Sequence, residues 1–281
     1  MSLNSPKLWV VATPLGNLGD LSKRARDVLA SVEVVLAEDT RKAGIFLQRL
    51  DLPRKRLLSL FEHNEEKRIG TVLELLESKG DVALISSAGT PLIADPGYRL
   101  VRACREAGFQ VVPVPGPSAP IAALMASGLP PYPFTFLGFL PRKEGEKERL
   151  FSAFAALKTT LIFFERSSRI IQTLQTARES LGAREVCIAR EISKQYEEFI
   201  YLRLEKELKR AEDLRGEITI IIGPAEAEKQ TPLEEVLQIM EQESLEGGAA
   251  KQIVGRVQEQ VKGWKAKELY QLYTQKKSIQ D

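Results

Sequence analysis

"DVALISSAGTPLIADPGYRLVRACREAGFQVVPVPG", residues 81 to 116, is the stretch whose reading decides the fold. The apolar run DVALIS stops at two serines, and turns rich in glycine and proline follow. GYRLVRACREAG then sets Leu100, Val101, Cys104 and Ala107 at helical spacing, and FQVVPVPG returns to a short β-branched run. A strand, a helix and a second strand in this order predict two parallel strands joined by a crossover helix.

The same alternation extends upstream. KLWVVAT (7–13), VEVVLAED (32–39) and RLLSLFE (56–62) read as strands. DLSKRARDVLASV, TRKAGIFLQRL and NEEKRIGTVLELLESKG read as helices, the last with Ile69, Val72, Leu73 and Leu76 inward and Gly80 as its stop. The fold class is therefore α/β, with a mostly parallel N-terminal sheet covered by helices on both faces. Downstream, PFTFLGFLP, TTLIFFER, REVCIARE, EEFIYLRL and GEITIIIGP are strand candidates, with helices at 145–157, 167–181 and about 204–212. They predict a second α/β domain with a more mixed sheet. Residues 1–115 and 116–225 are read as these two domains, and AEAEKQTP (225–232) as a linker. Residues 231–281 are purely helical in pattern, with seven Lys or Arg against two Glu between Lys251 and Lys277.

Composition sets the outer bounds. With 281 residues and 43% apolar content the chain can bury a sizeable core. Its 40 basic and 38 acidic residues nearly cancel, so net charge alone points to neither nucleic acid nor membrane. No apolar run approaches the roughly 18 residues of a spanning helix. The apolar run 8–12 is too short for a secretory signal core, so a soluble, cytoplasmic protein is expected. Cys104 and Cys187 sit in apolar patterns and read as reduced core residues. One histidine, His63, leaves little material for a histidine metal site or a Ser-His-Asp triad, and no metal site is expected.

Parallel sheets bind ligands beyond the carboxyl ends of their strands. Five loops there matter: TPLGNLGD (13–20), EDTR (38–41), EHNE (62–65), SSAGTPLIADPG (86–97) and PGPSA (115–119). The first is a ligand cradle or an ordinary turn, with Ser22 or Asp20 free to cap the next helix. It has neither the GxGxxG nor the P-loop pattern. SSAGTPLIADPG carries more small and rigid residues than a turn requires, and Ala88 and Thr90 leave space beside the backbone. Asp95, Pro96 and Gly97 are read as shaping and capping the exit into the helix rather than touching the chemistry. Ser118 is a candidate cap for a helix of small residues, which either leaves room for a flat group or packs tightly on the sheet. Glu38, Asp39 and Arg41 suit recognition of a polar substrate, or cap the next helix. FFERSSR (163–169) suits a phosphate at a helix N-terminus, or only a cap with a surface ion pair. PRKEGEKER (141–149) reads as a solvated helix start, or beside the basic tail as a contact for a phosphate backbone.

TPLGNLGDLS, AEDTR, FEHN, SSAGTPLIADPG, VPGPSA and GEITIIIGP occur in an order and spacing that resembles the tetrapyrrole-methylase-like superfamily. The likeness covers about residues 7 to 225. It is closest to the branch that methylates the 2′-hydroxyl of a cytidine in 16S ribosomal RNA, whose helix-turn-helix-like end the basic tail also resembles. Members acting on tetrapyrroles usually carry a G-x-G-P-G-D first loop, whereas this chain has Pro14-Leu15-Gly16-Asn17-Leu18-Gly19-Asp20, which favours RNA.

The resemblance implies a cleft between two domains that holds S-adenosylmethionine, and a homodimer. Pro14, Gly16, Ala88, Gly89, Thr90, Pro91, Ser118, Ala119 and Thr219 would line the cofactor. In-line methyl transfer depends mainly on positioning, and a ribose hydroxyl benefits from a base or a nearby cation. Glu38, Asp39 and Arg41 are the catalytic candidates, with His63 a further candidate base. His63, Asn64, Arg166, Lys251, Arg256 and Lys265 are the candidates for contact with 16S ribosomal RNA or the small subunit. The rivals are a methylase of a small molecule such as a tetrapyrrole, which needs no basic tail, and a non-catalytic RNA-binding factor, which needs no cofactor.

Overall fold

The runs VVLA and VALI are buried at every position, as strands covered on both faces must be. They form the middle of a sheet made from β1 (Lys7–Val11), β2 (Val34–Ala37), β3 (Arg56–Ser59), β4 (Val82–Ile85) and β5 (Gln110–Val114). Every pairing is parallel and the order is β3-β2-β4-β1-β5. Residues 5–225 and 230–280 are described by this computed structural model. The chain divides into two compact units, Met1–Ala225 and Glu226–Asp281.

The two-residue period of the strands sorts side chains to opposite faces. Val35, Ala37, Ala83 and Ile85 pack under α1 (Lys23–Ser31) and α2 (Thr40–Arg49). Val34, Leu36, Val82 and Leu84 pack under α3 (Glu65–Lys79) and α4 (Tyr98–Glu106). The helix leaving β1 thus covers one face while the helix leaving its neighbour β4 covers the other. The β1/β4 boundary is therefore the switch point at which such sheets open a crevice.

Local capping matches the sequence in part. Ser22 caps α1 by accepting the Ala25 N–H, and Asp39 caps α2 by accepting the N–H groups of Arg41 and Lys42. The α4 helix starts at Gly97 without a side-chain cap of its own. Glu65, buried at the start of α3, accepts the Leu100 N–H instead, at 3.0 Å. Ala107, expected inward, is exposed, because the helix ends at Glu106 and the chain turns through Gly108 at φ 84°.

The second sheet comprises β6 (Phe134–Phe139), β7 (Thr160–Arg166), β8 (Glu185–Arg190), β9 (Glu198–Arg203) and β10 (Glu217–Ile222). Their order is β6-β7-β10-β8-β9, parallel between β6 and β7 and antiparallel elsewhere. One face is covered by α6 (Glu144–Phe154) and α7 (Ile170–Leu181), with Phe151, Phe163, Leu174 and Ile220 at the centre. On the other face Ile162, Cys187, Ala189 and Ile221 meet Ala123 and Leu124 of α5 (Ala119–Ala126). The helix expected at 204–212 is only a 3-10 turn at Leu208–Ala211, since that polar stretch has few apolar groups to bury.

The second unit holds α8 (Leu233–Leu245), α9 (Ala250–Gln260) and α10 (Ala266–Gln280) around Val236, Met240, Ile253, Val257 and Leu269. Cys104 and Cys187 are buried, and burial pushes both thiols up to about 11. Among the described residues no helix is long and apolar enough to cross a membrane.

Two glycines test this packing in opposite directions. Gly97 sits at φ 129°, and a Cβ there would lie 2.8 Å from Leu84 Cδ2. Gly97→Ala is expected to lower the unfolding free energy by about 1–3 kcal/mol. Gly70 is exposed within α3 with nothing in the space a Cβ would take. Gly70→Ala is expected to raise it by about 1 kcal/mol. Urea denaturation measures both.

Candidate functional site

At the β1/β4 switch point the backbone itself closes the loops. Thr13 and Gly89 exchange both backbone hydrogen bonds, at 2.8 and 3.0 Å. The hydroxyl of Ser86 donates to the Gly89 carbonyl at 3.0 Å, and that of Thr13 donates to the Ser86 carbonyl at 3.2 Å. The Thr90 hydroxyl donates to the Pro117 carbonyl at 3.0 Å, which ties in the loop after β5. Gly89 is at φ 78°, which strains any residue with a side chain, and a Cβ on it would press on Leu15 Cδ2 at 3.1 Å.

These loops form one wall of a cleft of about 520 Å³ between the two sheets. Ala88, Gly89, Thr90, Ser118 and Ala119 line it from the first sheet's loops. Thr219 lines it from β10, where the strand alternation sets it on the same face as Ile221. Its aromatic wall is Phe139 and Phe164, whose ring centroids lie 5.3 Å apart. The volume is that of a nucleoside-sized ligand pocket, and an aromatic wall facing a backbone wall suits a flat base.

Three of the expected cofactor residues are placed differently. Pro91 is buried behind the wall. Pro14 and Gly16 line an adjoining groove instead. A Cβ at Gly16 would collide with the Lys194 side chain, which the loop after β8 lays across it. The same loop bonds to the first one through Ser193 and Asp20. Ser118 starts α5 without a capping bond from its side chain, which corrects the expected cap, and the residue lines the cleft.

A second, polar cavity of about 470 Å³ adjoins the cleft, with Ser87 lining both. It gathers Glu38, Asp39, Arg41 and Lys42 at the end of β2. Asp39 is engaged as the α2 cap, and the N–H groups of Lys42 and Arg41 hold its carboxyl below the usual range. Arg41 is highly exposed and lies 3.6 Å from Asp39. Asn64 shapes this cavity from behind. It accepts the Phe61 N–H at 2.8 Å and donates to the Ser59 carbonyl at 3.2 Å, and both of those residues line the cavity. His63 is exposed beside the Phe61 ring and borders neither space.

Across the cleft, Arg166 lines the wall at the end of β7. The neighbouring ion pair is not a surface one: the Glu165 side chain is fully buried and accepts two bonds from Arg169, at 2.6 and 2.9 Å. Its other oxygen accepts from Thr173 Oγ1 at 2.7 Å, which in turn accepts from Lys147 Nζ at 3.3 Å. Lys147, read in the sequence as part of a solvated helix start, is 1% exposed. In the helical unit Lys251 and Lys265 are exposed. Arg256 is held internally, by Glu243 Oε2 at 2.5 Å and by the carbonyls of Glu243 and Gly247. Among the described residues no group of three or more metal-ligating side chains occurs.

The sequence reading gave Asp95 only a part in shaping and capping the exit into the helix, but α4 has no side-chain cap. The partly buried Asp95 carboxyl lines the cleft, and burial together with the Glu38 charge pushes it up to about 6. The turn that carries it holds Leu92 and Ala94 at φ 70° and 69°, a conformation uncommon for residues other than glycine. The one signal in the sequence was an ionisable residue inside the loop already singled out.

The structure thus defines a two-sheet α/β protein with a ligand cleft at the switch point of its parallel sheet. Solved methyltransferases share the architecture. The methyltransferase CobJ matches at a TM-score of 0.60 and 20% identity, over 82% of this chain and 97% of that one. The Thermus thermophilus uroporphyrin-III C-methyl transferase complexed with S-adenyl homocysteine matches at 0.56 and 19%, over 78% and 97%. The model of the tetrapyrrole (corrin/porphyrin) methylases matches residues 7–208, and the chain belongs to that family of methyltransferases. Similar relatives bear the name ribosomal RNA small subunit methyltransferase I. The Mesorhizobium japonicum protein is 44% identical over 231 residues, 81% of this chain and 78% of its own. The Thermotoga maritima protein is 41% identical over 222 residues, 78% of this chain and 99% of its own.

Asp95 makes stability depend on pH in a defined direction. Its folded pKa of about 6 lies above the ordinary 3.8, so the folded state binds more protons between those values. Stability therefore falls as pH rises through that window and stays lowered above it. Asp95→Asn is expected to melt higher than the parent near pH 8 and equally near pH 4, as calorimetry at the two pH values checks.

Proposed function

We propose that this chain is an S-adenosylmethionine-dependent methyltransferase that methylates the ribose 2′-hydroxyl of a cytidine in 16S ribosomal RNA. The observation that carries the reading is the set of relatives named for ribosomal RNA small subunit methylation, at 44% and 41% identity over most of this chain. The cleft supports the cofactor. Ala88 and Gly89 line it on one side, Phe139 and Phe164 on the other, and the positive φ of Gly89 disfavours any side chain there. S-adenosylmethionine supplies an electrophilic methyl group on a sulfonium.

The chain's own residues position the nucleophile. Ala88 to Thr90, Ser118 and Thr219 hold the cofactor end of the cleft. The polar cavity beside it receives the nucleotide, with Arg41 and Lys42 as its cations. Arg166 on the opposite wall and the exposed Lys251 and Lys265 of the helical unit contact phosphates. The protein works as a homodimer in the cytoplasm.

Mass mapping of 2′-O-methyl groups in ribosomal RNA from a strain lacking the gene tests the whole reading. One cytidine is expected to lose its methyl group, and an unchanged map refutes the assignment. Deleting residues 231–281 is expected to reduce RNA methylation while cofactor binding by calorimetry stays unchanged. Full RNA activity of the truncated chain would remove the tail from the reading. Gly89→Val is expected to abolish the calorimetric signal for S-adenosylmethionine while circular dichroism stays that of the parent. A normal titration would show that the loop is no cofactor wall. A flat titration of the parent chain would favour a non-catalytic RNA-binding factor. Methyl incorporation into a tetrapyrrole but not into RNA would favour the small-molecule reading.

A further inference from the structure

The polar cavity beside the cofactor cleft is built on the ends of three neighbouring strands. Ala37 at the end of β2 is in register with Ser59 of β3 on one side and with Ile85 of β4 on the other. The residues just beyond those ends, Glu38, Phe61 and Ser87, therefore gather on the cavity wall. Ser87 also borders the cleft. A volume of about 470 Å³ is enough for a nucleotide.

Phe139 and Phe164 belong to the cofactor cleft, and the cavity has a ring of its own in Phe61, which is 38% exposed. That ring is held in place by its neighbours in FEHN (61–64). Asn64 accepts the Phe61 N–H at 2.8 Å and donates to the Ser59 carbonyl at 3.2 Å. The His63 ring meets the Phe61 ring edge-on, with centroids 6.5 Å apart. An apolar ring braced in a polar cavity is a platform on which a base stacks. Stacking accepts any base, so selectivity falls to the polar groups around the ring.

The two carboxylates of the cavity differ in what they have left to offer. Asp39 is committed to the backbone N–H groups of Arg41 and Lys42 at the start of α2. Glu38 is exposed, and no described residue donates a hydrogen bond to its carboxylate. An ionised carboxylate only accepts. Cytosine presents an N4 amino donor, whereas uracil presents an O4 acceptor at the same place, which a carboxylate repels. We propose that Phe61 and Glu38 form a base-recognition subsite, in which Phe61 stacks on the cytosine and Glu38 accepts from its N4 amino group. This rests on the RNA 2′-O-methylation reading above. It makes Glu38 the residue that selects cytidine over uridine, and His63 and Asn64 positioning residues that act through Phe61. Arg41 and Lys42 remain as donors for the nucleotide's acceptor atoms.

The test uses the full chain and small ribosomal subunits from a strain lacking the gene, with cytidine or uridine at the methylated position. The parent is expected to favour cytidine over uridine in kcat/KM by about 5- to 150-fold. Glu38→Gln carries an amide that both donates and accepts, and it is expected to bring that ratio close to one. Calorimetry is expected to give it the parent's affinity for S-adenosylmethionine. Phe61→Ala is expected to raise KM for the subunit about 5- to 150-fold with KM for the cofactor unchanged, and Phe61→Tyr to restore it. A Glu38→Gln chain that loses both substrates equally would place Glu38 in the chemistry, and one that keeps the parent's ratio would place it outside the subsite. Either result overturns the assignment, as does a parent without preference, a Phe61→Ala chain with the parent's KM for the subunit, or lost cofactor affinity in either variant. All of these leave the functional reading standing. A parent chain that binds cofactor but methylates neither subunit overturns the functional reading and the subsite together.

Discussion

Thr13 and Gly89 face each other where β1 and β4 run out, and each donates its N–H to the other's carbonyl. At this boundary the chain leaves one strand toward one face of the sheet and the neighbouring strand toward the other. Without a clasp the two loops would diverge. The backbone pair holds them together, and the hydroxyls of Thr13 and Ser86 bond to the carbonyls beside it. The polar groups of the clasp are thus satisfied among themselves, as buried polar groups must be. What faces the cleft is therefore small and largely backbone. The Thr90 bond to Pro117 extends the arrangement to β5, so the exits of three adjacent strands become one wall.

The opposite wall is held by different physics. Glu165 sits without solvent contact at the end of β7, where an unpaired charge would be strongly destabilising. Arg169 and Thr173 supply its partners, and Lys147 closes the chain from α6. This network fixes the segment that presents Arg166, Ser167 and Ser168 to the cleft. The two walls also touch at the rim. Ser193 bonds to Asp20, and Lys194 lies over Gly16 between Glu191 and Glu217. The bare backbone of Gly16 serves this contact between the sheets.

The basic tail and the acidic loop after β2 divide along the same lines. Lys251 and Lys265 stay exposed, while Arg256 and Glu243 join α8 to α9 within the helical unit. In the loop, Asp39 holds a helix start and Glu38 remains exposed beside the cleft. Charge runs that look uniform in a sequence separate in this way once some members find backbone partners.

Much of the fold was legible because its signals are local. Short apolar runs alternating with helical periodicity gave the five strands of each sheet, while the faces of Val34 to Ala37 and Val82 to Ile85 came only from the packing. The crowding of small and rigid residues in SSAGTPLIADPG was enough to mark a wall of the cleft. Ala107 and Ser118 were misread because helix ends depend on partners that sequence spacing does not reveal, and the stretch 204–212 because it has few apolar groups to hold a helix down. Lys147, Glu165 and Asp95 were hidden for a further reason. Charged residues are normally solvated, and only tertiary contacts decide which are not. The sequence by itself determined most of the elements, the parallel character of the first sheet and the loops that line the cleft. The tertiary structure decided that Pro14 and Gly16 stand aside, that Phe139 and Phe164 face the backbone wall, and that Asp95 is partly buried beside Glu38. Burial and distance arise from residues far apart in the chain, and those relations set the chemistry of a carboxylate.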